Sequence, residues 1–496
     1  MKRRSQERGQ ALIMIALAAV GLFAFSALAI DGSRIFSDRR HAQNAADTAA
    51  LAAALARVRA VGSNLDANGK PIQSAIDAAT VDAGMKRAAS NGYENDTDST
   101  VEVHMCDEVK SLNLNPQCEG LPGGATLSEY IQVKIVSTIP TTFARVIGRP
   151  QVTSVLTAVA RAKSGLPSPL VNGNALAALA PNEPDAILGN GNTYLDVNNS
   201  GIFSNSEVKD LSDPCQQGSM NTIGNGDYFV DTSIQLVGTL CKNKNSNVHG
   251  QVLPTDHIKY PPDISIQLPS ISCGPLVSPS VPTPTKDVVG EDVYTFTPGT
   301  YGNVDLPATG HINFSPGNYC FTNGVNIRGT AKVIANNVNF LISGGEFSLN
   351  GHATFTCDQA LIYINGGTGM KFNGTGENAC NNVTFIASTG TVAWNGSVTN
   401  RFFAPTGGEY KNVLIYLPYG NSSELKITGN ADNQLKGSII AVSSKITIGG
   451  NQWTTGLHSQ IIGYTINIQG NSQTTINYVP DEQFAQVDPS GIQLTK

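Results

Sequence analysis

The segments LKITGN (residues 425–430), ITIGGN (446–451) and INIQGN (466–471) are three copies of one phrase: apolar, spacer, apolar, spacer, glycine, polar residue. Working back along the chain, the phrase recurs as VAWNGS ending at Ser397, MKFNGT at Thr375, FSLNGH at His352 and VNIRGT at Thr330. Its glycines are Gly329, Gly351, Gly374, Gly396, Gly429, Gly450 and Gly470, with intervals of 22, 23, 22, 33, 21 and 20 residues, so a single insertion accounts for the long one. A fixed period of this size marks a repeat architecture in which each unit buries its apolar face only against its neighbours. Both apolar places are filled in every copy and the residue between them is mostly polar, as in Asn326, Ser348, Lys371, Lys426 and Thr447. That alternation predicts a strand with one face inside and one in water. The glycine then supplies a positive φ for a corner, often beside an Asn that tolerates the same geometry.

Between successive glycines a second apolar run appears: VNFLIS from Val338, LIYING from Leu361, VTFIAS from Val383, VLIYLP from Val413, GSIIAV from Gly437 and QIIGYT from Gln460. Two or three strands per rung of about 22 residues predict a right-handed parallel β-helix over 288–480, each rung pairing with the next about 4.8 Å away. Cys357 and Cys380 each lie six residues after a repeat glycine, so they occupy equivalent places on adjacent rungs. That separation falls in the range of about 4.4 to 6.8 Å that a disulfide spans.

The composition agrees with a β-rich, turn-rich chain. Of 496 residues 50 are glycine, and only 14% are charged and 7% aromatic. The formal net charge of −6, with no basic cluster beyond the first residues, argues against nucleic acid as a partner. Eight cysteines without a CxxC pattern or a nearby His pair point to disulfides, and so to an oxidising compartment, in preference to zinc. The local pairs in sequence order are Cys106 with Cys118, Cys215 with Cys241, Cys273 with Cys320, and Cys357 with Cys380.

The N-terminal run ALIMIALAAVGLFAFSALAI, Ala11 to Ile30, holds 20 residues without a charge. At 1.5 Å per residue it crosses a hydrocarbon core of about 30 Å. Lys2, Arg3, Arg4 and Arg8 before it favour a cytoplasmic N-terminus, while Arg34, Arg39 and Arg40 behind it weaken the bias. A cleaved signal peptide is the alternative, since Ala27-Leu28-Ala29 fits a small-residue cleavage site. Retention is favoured because a helical pattern continues beyond it, through Ala42, Ala45, Ala46, Ala49, Ala53 and Ala56. Pro71 opens a second helical stretch that closes near Asn91-Gly92, and the β-branched runs Val101 to Met105, Tyr130 to Ser137 and Val152 to Ala160 follow as strands. The chain is thus multi-domain: a cytoplasmic tip and transmembrane anchor (1–30), a stalk helix and small α+β domain (31–163), a β-rich region (164–253), a connector (254–287), the β-helix (288–480) and a tail (481–496). The connector is inferred from eight prolines in the 31 residues from Pro254 to Pro284, which block helix and central strand.

Residues ERGQALIMIALAAVGLFAFSALAIDGSRIFSDRRHAQNAADTAALAAALA resemble the N-terminus of the TadE/TadG-like proteins of Tad (Flp) pilus assembly. The features that carry the resemblance are Gly9 before the apolar helix, Asp31 and Arg34 after it, and Gln43-Asn44-Ala45-Ala46-Asp47 leading into an alanine-rich helix. The later stretch TIPTTFARVIGRPQVTSVLTAVARA is similar to the family's closing strands, so the likeness covers about residues 7 to 163. It implies a single-pass envelope protein with its bulk outside the bacterial membrane, whose partners are the membrane and other Tad pilus or envelope proteins. Two departures limit what carries over. Five residues after Gly9 stands Met14, where a prepilin would carry Glu, which argues against processing by a prepilin peptidase. Asp31-Gly32-Ser33-Arg34-Ile35 breaks the DxSxS opening of the metal-binding adhesion domain that longer members carry.

Enzymes also use β-helices, and a polysaccharide lyase or hydrolase would need clustered acids and bases. Glu346 and Glu424 share a register but lie three rungs apart, near 14 Å at about 4.8 Å per rung, too far for a glycosidase pair. Glu409, in the insertion from Asn400 to Asn412, is the acid best placed to meet another. His41, His104, His249, His257, His311, His352 and His458 are scattered without ligand or triad spacing. Trp394 holds an inward repeat position and is expected in the core, whereas Trp453 follows a corner and is the candidate for stacking on a sugar. The sequons Asn373-Gly374-Thr375 and Asn395-Gly396-Ser397 sit on corners and are explained by turn chemistry. No residue is assigned to catalysis, cofactor or metal. The expectation is a non-enzymatic anchored structural or interaction protein, with a carbohydrate-binding adhesin of surface glycans or a β-helix polysaccharide enzyme as alternatives.

Overall fold

The computed structural model describes residues 7–64, 72–107, 118, 121, 127–163, 167–212, 215–278, 280–302, 304–395, 397, 399–429, 433–450, 453–471, 473–487 and 491–495. Pro71, the repeat glycine Gly396 and the side chain of Trp453 lie outside that description. The chain forms two units, Met1–Pro167 together with Val487–Lys496, and Ser168–Gln486.

The first unit begins with one uninterrupted helix, α1 (Glu7–Ser63), followed by α2 (Gln73–Ser90). Along the first third of α1, Leu12, Ile13, Met14, Leu17, Leu22 and Phe25 stand more than 60% exposed, with apolar side chains on every side. By length and composition this helix can cross a membrane, and a helix apolar all round finds its solvent in lipid. Farther along, α1 changes character. Ala42, Ala45, Ala46, Ala49 and Ala53 are fully buried, their small side chains letting the helix axis lie close to a sheet. That sheet is antiparallel, made of β1 (Ser99–Met105), β2 (Tyr130–Pro140) and β3 (Gln151–Lys163), with Ser99 opposite Ser137 and Tyr130 opposite Arg161. Helix α2 is closed at Asn91, whose backbone N–H donates to the Ala88 carbonyl, and at Gly92, which holds φ +86° and whose N–H donates to the Ala89 carbonyl. The Arg57 guanidinium donates to Asp77 at 2.6 Å, tying the two helices together.

A fourth strand completes this sheet, and it comes from the far end of the chain. Gly491–Leu494 pairs antiparallel with β3, Ala160 facing Leu494. The segment 481–496, expected as a tail, therefore belongs partly to the N-terminal unit. Ordinary period-two alternation over four residues is too short a signal to reveal a partner some 330 positions away.

The second unit is a β-solenoid whose rungs pair in parallel. One rung shows the plan. The strand Lys332–Ile342 bends at Asn337, which holds φ +57°, so it serves two faces; Glu346–Leu349 forms the third, and Gly351 turns the corner at φ +74°. Gln359, Asn382 and Asn412 repeat the bend at φ +54°, +50° and +61°. The corner glycines have positive φ as the repeat predicts, and they stack: a methyl on Gly374 would strike the carbonyl oxygen of Gly351 below it. Inside runs a file of aromatic rings, among them Phe314, Phe340, Phe347, Phe372 and Trp394, with centroids 5.0–6.1 Å apart along the stack. Trp394 is 1% exposed, a core residue as its repeat position requires. Polar groups inside are satisfied along the same axis. The Asn378 amide donates to Asn400 and that of Asn400 to Asn433, both at 2.9 Å.

The stack does not end where the repeat ends. The last rung, Ile461–Gln469 and Gln473–Asn477, pairs in parallel with Leu176–Ala178, Ile187–Gly191 and Tyr194–Asn198. Further rungs follow, through Met220–Gly224 and Asp227–Leu236 to Asn247–Pro254. The corner ladder continues with them: a methyl on Gly191 would lie 2.7 Å from the Gly470 oxygen, and one on Gly224 2.5 Å from that of Gly191. Residues 164–253, read from sequence as a separate β-rich region, thus extend the solenoid at the end of 288–480. The repeat is blurred there because Gly189 and Thr222 occupy the second apolar place. Gly189 leaves room for the buried Tyr228 ring, which a side chain at that position would overlap.

The proline-rich segment accordingly joins the two ends of one stack, and it does so by running along its side. Ile258, Tyr260, Ile264, Ile266 and Ile271 pack on outward-facing Phe203, Tyr363, Ile386, Tyr416, Ile440 and Ile462. This explains why VLIYLP reads as a continuous apolar run: residues 413–417 are all buried, on the inside by the core and on the outside by the connector. All four local cysteine pairs are disulfides, and Cys357 and Cys380 face each other in register with Cα atoms 4.5 Å apart.

Candidate functional site

Three places bring polar or aromatic groups together. The first is where α1 leaves its apolar stretch. Asp31 is 4% exposed, and its carboxylate accepts from the backbone N–H groups of Thr142 and Phe143 at 2.9 Å and of Ala144 at 2.7 Å. These three amides lead into the short turn Ala144–Ile147, an end of the backbone where an acidic side chain is favourable. Arg34, one turn on, donates to the Thr142 hydroxyl at 3.0 Å. The two residues that mark the family resemblance after the span therefore clamp the β2–β3 loop to the helix.

The second place lies near one end of the solenoid. His311 approaches Glu291 at 2.9 Å and Asp287 at 3.7 Å, and Lys332 reaches Glu291 at 3.1 Å. The Glu291 carboxyl is held below its ordinary value, chiefly by the hydrogen bond from Lys332. Among the described residues Asp287, Glu291 and His311 form the group close enough to share a cation. The Lys332 ammonium already occupies part of that role. Their convergence is hidden in the sequence because it needs the pairing of Val293 with His311 and of His311 with Lys332 on successive rungs.

The third is an aromatic stripe on the outer surface of the rungs within 176–254. Tyr194, Phe229 and His249 stand on successive rungs, with Tyr194 and Phe229 centroids 5.4 Å apart and Phe229 and His249 stacked at 4.4 Å with an interplanar angle of 6°. Tyr194 and Phe229 are half-buried and His249 is exposed. From sequence these residues belong only to a β-rich region, 164–253; the stacking order of the rungs is what aligns their outward rings.

The remaining candidates are engaged one by one. Glu346 pairs with Lys371 at 3.1 Å, and Glu424 accepts from the Thr447 hydroxyl at 2.5 Å; the two stand on rungs separated by those of Gly369 and Thr391. Glu409 lines a cavity of about 370 Å³ with Tyr410 and Ile271, and the Tyr410 hydroxyl is pushed up to about 12 by burial and then by Glu409. His41 meets the Tyr93 hydroxyl at 3.2 Å, His257 meets Glu207 at 3.4 Å, His458 meets Glu482 at 3.3 Å, and His352 bonds the Thr375 hydroxyl.

A helix able to cross a membrane, a small α+β unit packed on its continuation and a large β-solenoid define a class: a membrane-tethered solenoid protein. Residues 9–57 match the family model Tad, described as Putative Flp pilus-assembly TadE/G-like. That match covers the apolar span and the alanine-rich part of α1 and stops before the solenoid. No curated protein and no solved structure matches the chain significantly.

Proposed function

We propose that the chain is a non-enzymatic, single-pass envelope protein whose N-terminus is cytoplasmic and whose solenoid, a right-handed coil, lies outside the membrane as an interaction surface in Tad (Flp) pilus assembly or surface adherence. The observation that carries this is the unbroken helix α1. It joins an apolar, uncovered span to a packed alanine face within one element, and it contains the whole family-matched segment. A continuous helix of 57 residues is about 85 Å long, so one element carries both the apolar span and the packed alanine face. Disulfides in both units fit an oxidising exterior. The non-enzymatic reading is supported by Glu346 and Glu424 each being bound to a separate partner. The test is in-cell crosslinking of the full chain followed by identification of its partners, together with a pilus count after its removal. Capture of pilus components and a changed count support the proposal; a normal count with no envelope partner contradicts it.

A second reading, a glycan-binding adhesin, is favoured by the outward-facing Tyr194, Phe229 and His249 stripe, since part-exposed rings in a row offer a platform for sugar faces. A glycan array probed with the protein and with Phe229→Ala decides it. Binding lost tenfold in the variant supports the stripe, and absence of any bound glycan removes the reading.

A further inference from the structure

The end of the apolar span fixes where the β2–β3 loop must sit. Twenty residues from Ala11 to Ile30 cover about 30 Å of hydrocarbon, so Asp31 stands at the polar boundary. Its carboxylate holds the amides of Thr142, Phe143 and Ala144, which brings the loop backbone to within one hydrogen bond of that boundary. The loop is itself closed: the Thr141 amide donates to Pro150 and the Arg149 amide to Ala144, both at 3.0 Å, and Gly148 turns the chain at φ +83°. From this fixed frame Phe143 projects 42% exposed, and Arg145 and Arg149 are exposed as well. The nearby acids are already engaged. Asp31 caps the turn, and Asp38 accepts from the Tyr93 and Ser137 hydroxyls at 3.2 and 3.1 Å. Neither Arg145 nor Arg149 has a carboxylate partner among the described residues.

We propose that the 141–150 loop is a membrane-seating foot, which places Phe143 in the interfacial layer and gives Arg145 and Arg149 to the phosphates of anionic phospholipids. An apolar Phe side chain beside guanidinium groups suits the surface of a bilayer that carries anionic lipid, the ring at the headgroup and acyl boundary and the charges on the phosphates. The geometry has a mechanical meaning too. A single helix leaves the body free to tilt and spin about its axis; a second contact, locked to the helix by Asp31 and Arg34, fixes both. The inference rests on the anchor reading of Ala11 to Ile30.

The eight native cysteines are paired in disulfides, so a single introduced cysteine can be labelled cleanly. The experiment places an environment-sensitive fluorophore at Phe143→Cys in the full chain, reconstituted in vesicles of phosphatidylcholine mixed with phosphatidylglycerol. Leu17→Cys serves as the mark for the span. Ser128→Cys, exposed at the other end of the 11-residue strand β2 and so about 35 Å away, serves as the aqueous mark. The expected result is blue-shifted emission at Phe143→Cys, quenched by a shallow spin-labelled lipid at least twofold more than Ser128→Cys. A double change Arg145→Gln with Arg149→Gln should halve that quenching or more, and replacing phosphatidylglycerol by phosphatidylcholine should do the same. Emission at Phe143→Cys that matches Ser128→Cys, while Leu17→Cys reports lipid, overturns the foot and leaves the anchor standing. Aqueous emission from all three overturns both.

Discussion

At the scale of single residues, the corner glycines are the positions where chemistry leaves least freedom. Gly374 has φ +144° and no room for a methyl under the Gly351 carbonyl, whereas a methyl on Gly407 meets nothing within 4 Å. Gly374→Ala is expected to lower stability by about 2 kcal/mol or more, since both strain and a rung shift are forced. Gly407→Ala should be near neutral. Denaturant unfolding followed by the fluorescence of buried Trp394, one rung away, reads the difference. The Glu291 carboxylate gives the pH dependence. Because its folded value is lowered from 4.5, its contribution is present above about pH 4.5 and is lost as the pH falls through the folded value. Glu291→Gln should therefore flatten that part of the acid-unfolding curve, and an unchanged curve would remove Glu291 from the account.

At the scale of elements, the Cys357–Cys380 bond staples strands that the ladder already pairs. Closing a loop of 23 residues is worth about 3 kcal/mol in the chain-entropy picture, so replacing both residues by Ala should cost up to that amount, measured by the unfolding midpoint under non-reducing conditions. The connector makes a sharper prediction. Ile266 is 8% exposed on a strip that shields the outer face of the 413–417 and 439–442 strands. Ile266→Asp places a charge there without a partner, and hydrogen exchange of those strands should rise at least tenfold while that of α2 stays unchanged. These elements also show how much of the molecule was readable beforehand. The strands after Gly329 were legible because their apolar pairs and glycines recur at nearly constant intervals. The rungs at 176–254 were not, since Gly189 and Thr222 break the apolar pair and the rung on which the first of them stacks lies about 280 residues away. The second apolar run of each rung was visible, but its outer cover was hidden in a proline-rich segment that has no period. The same long-range stacking hid the aromatic stripe and the His311 cluster, whose members are ordinary residues until the rungs align them. Asp31 was visible as a signature, though not as the clamp on the β2–β3 loop.

At the scale of the whole molecule, two units are strung on two covalent crossings, with the chain leaving the N-terminal unit after Pro167 and returning to it at Val487. Because the solenoid is inserted in this way, the strand Gly491–Leu494 completes the sheet of the N-terminal unit only after the stack is finished. The proposed role requires α1 to be an uncleaved anchor that holds both units outside the membrane. The direct measurement is labelling of Val289→Cys, 77% exposed in the solenoid unit, by a membrane-impermeant maleimide on intact spheroplasts of a bacterial host, with N-terminal sequencing of the labelled chain. An uncleaved anchor gives full labelling before lysis on a chain that resists carbonate extraction and keeps residues ahead of Ala11. Labelling only after lysis, or a soluble chain that begins at Ile30, would contradict it.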